Sequence, residues 1–365
     1  MPRIDCSHIG VAIDMRGCPN RCRHCYGGLQ DRRQPRMNAQ SLRKIARLFR
    51  EYIAVAGGPI KQFSLMSWGG REPDFSPSYR RWAELEAELG DGKPARFELL
   101  SIWRLARDRS YAPWAKSVGT NICQITFFGM SHVQDWFYRR KGAFQDCLVA
   151  TQRLLDAGII PRWQLFLTKK ILPDLDGLMR LIDRLELREK VAQLGGEFDI
   201  FLHPPCLIGE ARNIAHLSVR LRDIEAIPSE LRQATLKHFK EDRPWETEAE
   251  AVDRILGSAA PARPFPWPLE AGMPWFVITG NWDVFTNLGT NEPWWRLGNL
   301  NRDSLSTIIG RFEQDEIPAL KLNTTETLRQ LALERRRDAD DTVVSSIERY
   351  WFECFCEREY GGQSV

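Results

Sequence analysis

The chain has 365 residues, with 51 Lys and Arg against 48 Asp and Glu for a formal charge of +3, and it is 43% hydrophobic and 27% charged. This balance supports a large buried core and excludes a disordered chain, and it creates no global attraction to nucleic acid or to an anionic membrane. No apolar run reaches the ~18 residues that span a bilayer. The opening Met1-Pro2-Arg3-Ile4-Asp5-Cys6 lacks a secretory pattern, so a cytoplasmic protein is expected.

The first two hundred or so residues alternate short β-like runs with helical stretches, the pattern of βα units on a parallel sheet. Strands are predicted over 8–14, 62–67, 96–101, 122–128, 162–167 and 198–202, and helices over 41–55, 79–89, 144–157 and 173–185. In the first helix Ser41 is the predicted N-cap, with Leu42, Ile45, Leu48, Phe49 and Tyr52 forming one apolar stripe. Six such units predict an α/β fold, a partial (β/α)6 barrel over residues 1–205 rather than a closed eightfold one.

Past Pro204-Pro205 the pattern changes. Helical pieces at 225–240 and 246–256 lead into the proline-rich run 261–274, where each proline removes a donor and fixes φ. Residues 275–286 read as a hairpin turning at Gly280-Asn281. Residues 326–349 read as one charged helix, with 334–341 a solvated face. Residues 206–365 are therefore expected to form a smaller C-terminal extension.

Nine cysteines are an odd number, and Cys18, Cys22 and Cys25 crowd into one short window after the first strand. A chain of this length does not depend on disulfides, so the cluster points to metal. Soft thiolates at short spacing select zinc or an iron–sulfur cluster. A zinc site wants a fourth donor, and His24, flanked by two ligands, is poorly placed to serve. Three thiolates on a cubane would leave one iron open to an outside ligand.

The Cys-x3-Cys-x2-Cys spacing, with His24 before the third cysteine and Tyr26 after it, resembles the signature of radical S-adenosylmethionine (SAM) enzymes. The resemblance implies a [4Fe–4S] cluster on Cys18, Cys22 and Cys25, and SAM chelated at the fourth iron. SAM would be cleaved reductively to a 5′-deoxyadenosyl radical that abstracts hydrogen from a substrate. It also implies an external reductant of flavodoxin or ferredoxin type. Trp68-Gly69-Gly70-Arg71-Glu72-Pro73 is similar to the family's Gly-Gly-Glu-Pro segment, which assigns Gly69, Gly70 and Glu72 to SAM, although Arg71 stands where a glycine is usual. Thr126 and Gln164, on the fourth and fifth predicted strands, are candidates for the SAM carboxylate or ribose, with interior hydrogen bonding as the alternative.

Residues 129–158, and the 280–285 and 297–305 segments, resemble members with a SPASM or twitch extension. Such extensions bind auxiliary clusters through several cysteines. Here only Cys206, Cys354 and Cys356 remain as candidates for a second cluster, while Cys6, Cys123 and Cys147 read as core residues. His132, Asp135 and His203 are candidates for substrate positioning, each with a structural alternative. Trp267, Trp275, Trp282, Trp294 and Trp295 could line a groove or knit a small core. Arg335-Arg336-Arg337 is offset by Asp338, Asp340 and Asp341, which argues against nucleic acid.

Two substrate classes follow: a ribosomally made peptide undergoing maturation, or a sugar-like small molecule that is dehydrated, oxidised or epimerised. The 17 residues before Cys18 leave no room for a peptide-recognition domain, which a separate protein would then provide. A zinc-stabilised binding protein without catalysis is the third reading.

Overall fold

The computed structural model describes residues 7–15, 17–26, 37–56, 61–67, 74–91, 98–241, 244–258, 274–286 and 291–361. β1 (His8–Ile13) and β2 (Gln62–Met66) pair in parallel, joined by the crossover helix α1 (Ala39–Ala56). Leu42, Ile45 and Phe49 lie one or two turns apart on α1 and are fully buried, as the stripe requires. The cap is Asn38 rather than Ser41, because the helix begins at Ala39 and Asn38 Oδ1 accepts from Ser41 N at 2.9 Å.

After α2 (Tyr79–Leu89) comes the region of the third predicted strand. Residues 98–101 carry no strand, although Gln124 N donates to Glu98 O at 2.7 Å, and residues 92–97 lie outside the described residues. Ser101 instead caps α3 (Ile102–Arg107) by accepting from Arg104 N at 3.1 Å, which ends the extended run. α4 (Tyr111–Ser117) then leads into β3 (Ile122–Phe127).

β3, β4 (Ile160–Phe166) and β5 (Ile200–His203) form a second, wholly parallel sheet. Its connections hold α5 (Ser131–Tyr138), α6 (Ala143–Asp156), α7 (Leu175–Arg184) and α8 (Leu187–Gln193). Cys123, Ile125 and Phe127 pack with α6 residues Cys147, Ala150 and Leu154, so Gln124 and Thr126 take the opposite face. Among the described residues the parallel strands thus fall into two sheets with no strand pairing between them, rather than one six-stranded wall.

α9 (Leu221–Ile224), α10 (Ser229–Phe239), β6 (Glu246–Thr247) and α11 (Glu248–Gly257) follow. The chain then returns to the first sheet: β7 (Trp275–Ile278) pairs in parallel with β1, on the side away from β2. β8 (Asp283–Phe285) and β9 (Arg296–Asn299) complete the order β2-β1-β7-β8-β9 with antiparallel pairs. The expected hairpin is present, and its turn also takes in Trp282, at φ 68°, whose N donates to Thr279 O at 2.8 Å.

α12 (Leu305–Glu313), α13 (Pro318–Thr325), α14 (Leu328–Arg335), β10 (Val343–Val344) and α15 (Ile347–Tyr360) close the chain. The single helix expected over 326–349 is therefore divided. The β-branched Val343 and Val344 leave it to pair antiparallel with β6. One core cluster includes residues of α1, β1, β2, β7, α12 and α15. Among the described residues no helix is long and apolar enough to cross a membrane.

Candidate active site

Cys18, Cys22 and Cys25 follow β1 on a loop of intermediate burial. A helix leaves its last carbonyls without intrahelical donors, and α5 meets that need with this loop. Arg21 N donates to Tyr138 O at 3.1 Å, Arg23 N to Phe137 O at 2.9 Å, and Arg23 Nε to Trp136 O at 3.1 Å. Arg140 Nε donates to Asn20 Oδ1 at 2.7 Å, and within the loop Cys25 N donates to Cys22 O at 3.2 Å.

The far side of the loop meets the segment after β5. Glu210 N donates to Cys25 O at 2.9 Å, and Gly209 approaches so closely that a Cβ there would stand 2.4 Å from Tyr26 O and 2.7 Å from Cys25 O. Its φ of 58° also favours glycine.

His24 anchors the middle of the loop. Its ring lies 4.5 Å from that of Phe128, just past β3, and 4.9 Å from that of Phe166, at the end of β4. The cysteines are therefore held over the C-terminal ends of β3, β4 and β5, where parallel α/β folds collect their reacting groups. Burial of the ring pushes the imidazole down to about 4, so it is neutral near pH 7, and its sealed Nδ1 has no partner.

Three soft thiolates on one loop have the chemistry of an iron–sulfur site. Among the described residues no group of three His, Cys, Asp or Glu converges closely enough for one metal ion. By contrast, Cys123 and Cys147 are fully buried with thiols pushed up to about 12 by burial, as core cysteines.

Thr126 and Gln164 are brought together. Thr126 Oγ1 donates to Gln164 Oε1 at 2.9 Å, Gln124 Nε2 donates to the same oxygen at 2.8 Å, and Arg162 Nη2 donates to Gln124 Oε1 at 3.0 Å. Arg162 also pairs with Glu98. This ladder makes the inner face of the second sheet polar. Gly69, Gly70 and Glu72 lie outside the described residues, as does Cys6.

The remaining candidates scatter. Asp135 spends both oxygens on the start of α6, accepting from Gly142 N at 2.6 Å and Phe144 N at 3.0 Å, while His132 is exposed on α5. His203 ends β5, half-buried, and burial lowers its pKa. Cys206 lies on the segment that touches the cysteine loop, near Glu353 and Arg349 of α15. Cys354 and Cys356, two residues apart on α15, do not share a helix face, since successive residues turn by about 100°. Cys356 is fully buried, whereas Cys354 lines a groove with Leu331, Glu334 and Arg335. The three do not converge on one metal ion.

Trp275, Trp282, Trp294 and Trp295 belong to or pack against one core, while Trp267 lies outside the described residues. Trp294 Nε1 and Trp295 Nε1 each donate at 3.0 Å to the fully buried Glu353, and Trp275 packs against Gly10. The 297–305 segment is also accounted for structurally. Gly298 leaves room for Asp303 and Arg311, Asn299 Nδ2 holds Asn281 O at 2.8 Å, and Ser304 caps α12. Sequence reasoning missed Gln134, fully buried, which accepts from Phe128 N at 2.6 Å and donates to Thr126 O at 2.9 Å, setting the chain's exit from β3. A polar residue among apolar α5 neighbours was the available signal.

No protein-family model and no curated protein sequence matches the chain. Its structure is similar to that of native anSMEcpe with bound AdoMet, at 13% identity and TM-score 0.50, covering 97% of this chain and 100% of that one. It is also similar to Streptococcus suis SuiB bound to precursor peptide SuiA, at 12% identity and TM-score 0.47 over 85% of this chain and 65% of that one. A further similarity is to the Escherichia coli coproporphyrinogen III oxidase HemN, described as a radical SAM enzyme, at 11% identity and TM-score 0.35 over 97% of this chain and 91% of that one. At this identity the similarity to native anSMEcpe with bound AdoMet shows a shared mixed α/β fold.

Proposed function

We propose that the chain is a radical SAM enzyme in which Cys18, Cys22 and Cys25 hold a [4Fe–4S] cluster. The observation that carries this reading is the clamping of the cysteine loop over the ends of β3, β4 and β5 by α5 on one side and Gly209-Glu210 on the other. When bound, the cluster and SAM supply hydrogen-atom abstraction from a substrate. The protein's part is position and exclusion of water: His24 and its phenylalanine cage close the floor beneath the loop, and Thr126 and Gln164 offer hydrogen bonds to SAM from the polar face. Gly69, Gly70 and Glu72 complete the proposed SAM seat.

The substrate we propose is a peptide undergoing maturation, supported by the SPASM-like hairpin and Gly298-Asn299 segment built as β7, β8 and β9. A sugar-like small molecule is the alternative, and an external electron donor is required in either case. The test is iron, sulfide and zinc content per chain after anaerobic reconstitution, for wild type and the Cys18→Ala/Cys22→Ala/Cys25→Ala variant. About four irons in wild type and none in the variant is the expected result. Zinc without iron would sink the reading.

A further inference from the structure

The side chains of Arg23 and His24 leave the cysteine loop in opposite directions. His24 enters the phenylalanine cage, while Arg23 lies over the ring of Trp136, 4.1 Å from its centroid. Lys170 Nζ lies 4.7 Å from the centroid of the same half-buried indole. Arg139, whose N donates to Trp136 O at 3.2 Å, is exposed at the end of α5; Lys141, close after it in sequence, and Arg21, whose N donates to Tyr138 O at 3.1 Å, are exposed too.

Among the described residues, three nearby carboxylates are engaged. Glu210 pairs with Arg139 at 3.3 Å, Asp146 with Arg140 and Arg107, and Asp135 with two backbone N–H groups. A chain of net charge +3 thus concentrates cations around one aromatic, with Arg23 directly after Cys22 in the cysteine loop. Like charges so gathered repel each other, and an acidic surface relieves the repulsion.

Building on the function proposed above, we infer that this face, centred on Trp136 with Arg23, Arg139, Lys141 and Lys170, is the docking surface for a small acidic one-electron carrier protein. The occupant follows from two features. The patch is charged and carries one partly exposed ring instead of an apolar groove, which suits the small, charge-guided encounters of electron-transfer partners. It also borders the loop that would hold the cluster, so a docked carrier stands beside the electron's destination. One electron leaves the carrier, which is oxidised by one, and enters the cluster, which is reduced by one.

The test uses reconstituted holoprotein and a bacterial flavodoxin as the probe. Affinity for labelled oxidised flavodoxin is measured by fluorescence anisotropy at low and physiological ionic strength, and cluster reduction is followed with reduced flavodoxin and, separately, with dithionite. The Lys141→Glu/Lys170→Glu variant is expected to weaken flavodoxin binding by at least about tenfold at low salt and to slow flavodoxin-driven reduction to match, with the dithionite rate unchanged. An Arg47→Glu/Lys321→Glu control should bind as wild type does. Unchanged binding by the patch variant, or equal weakening in the control, overturns the proposal. Should the dithionite rate fall as well, Lys141→Gln/Lys170→Gln decides: weaker binding with a normal dithionite rate supports the surface, and normal binding overturns it. A wild-type protein without iron refutes the proposed function itself, a result separable from any loss of docking.

Discussion

Gly209 touches the carbonyls of Cys25 and Tyr26, and a methyl group there has no space because both obstacles are backbone. Gly209→Ala is expected to cut the iron content of the reconstituted protein by more than half while leaving far-UV circular dichroism unchanged; full iron content would show that the segment after β5 does not hold the loop. Glu353 accepts two indole N–H groups in a dry core, so Glu353→Ala strands both donors and should cost about 2–4 kcal/mol in urea unfolding, and Glu353→Gln less. His203 sets a pH dependence. Burial lowers its pKa, so below about 6.5 the unfolded chain takes up a proton that the folded chain refuses, and stability present above that pH is lost as pH falls. His203→Phe should flatten this decline in urea midpoints measured across the acid range. The cysteine spacing is local and can be read from the sequence alone. The role of Gly209 cannot, since its partner lies far away in sequence and only the fold brings them together.

Individual elements show the same division. The α1 stripe and α2 could be read from period alone, because an amphipathic helix records its buried face every three or four residues. The third strand and the long C-terminal helix could not. A serine cap at Ser101 and a pairing partner for Val343 at Thr247 redirect chains whose local preference is ambiguous. The helical placement of Cys354 and Cys356 has a direct consequence. Since the two point away from each other, the Cys354→Ala/Cys356→Ala variant is expected to retain the iron content of wild type. A loss of about four irons per chain would instead mean that α15 opens to bind a second cluster.

At the scale of the molecule, the boundary expected near residue 205 is crossed by a sheet. β1 has β2 on one edge and β7 on the other, and a common core includes residues from both sides of the boundary. The alternation of strands and helices announced the parallel pairs. It held no sign that a strand so distant in sequence would take its place beside the first, because pairing partners are chosen by the assembled sheet. The close approach is tight at Gly10, where a Cβ would fall 2.4 Å from the Trp275 ring, and Gly10→Ala is expected to cost about 1–3 kcal/mol by overpacking in denaturant titration. A fragment ending at residue 205 should lack a cooperative unfolding transition, since it removes β7 and leaves β1 with a bare edge.

That same pairing sets a timetable for biosynthesis. A ribosome that has released β1 must translate from Ile13 to Trp275 before the strand's second neighbour exists, which at about 5–20 residues per second leaves the edge open for tens of seconds. During that interval the nascent chain carries an unprotected apolar strand, Ile9 to Ile13, directly ahead of its cysteine loop. The cell must shield the strand for that long, so soluble yield of this protein should rise with slower initiation, lower temperature and co-expressed chaperones.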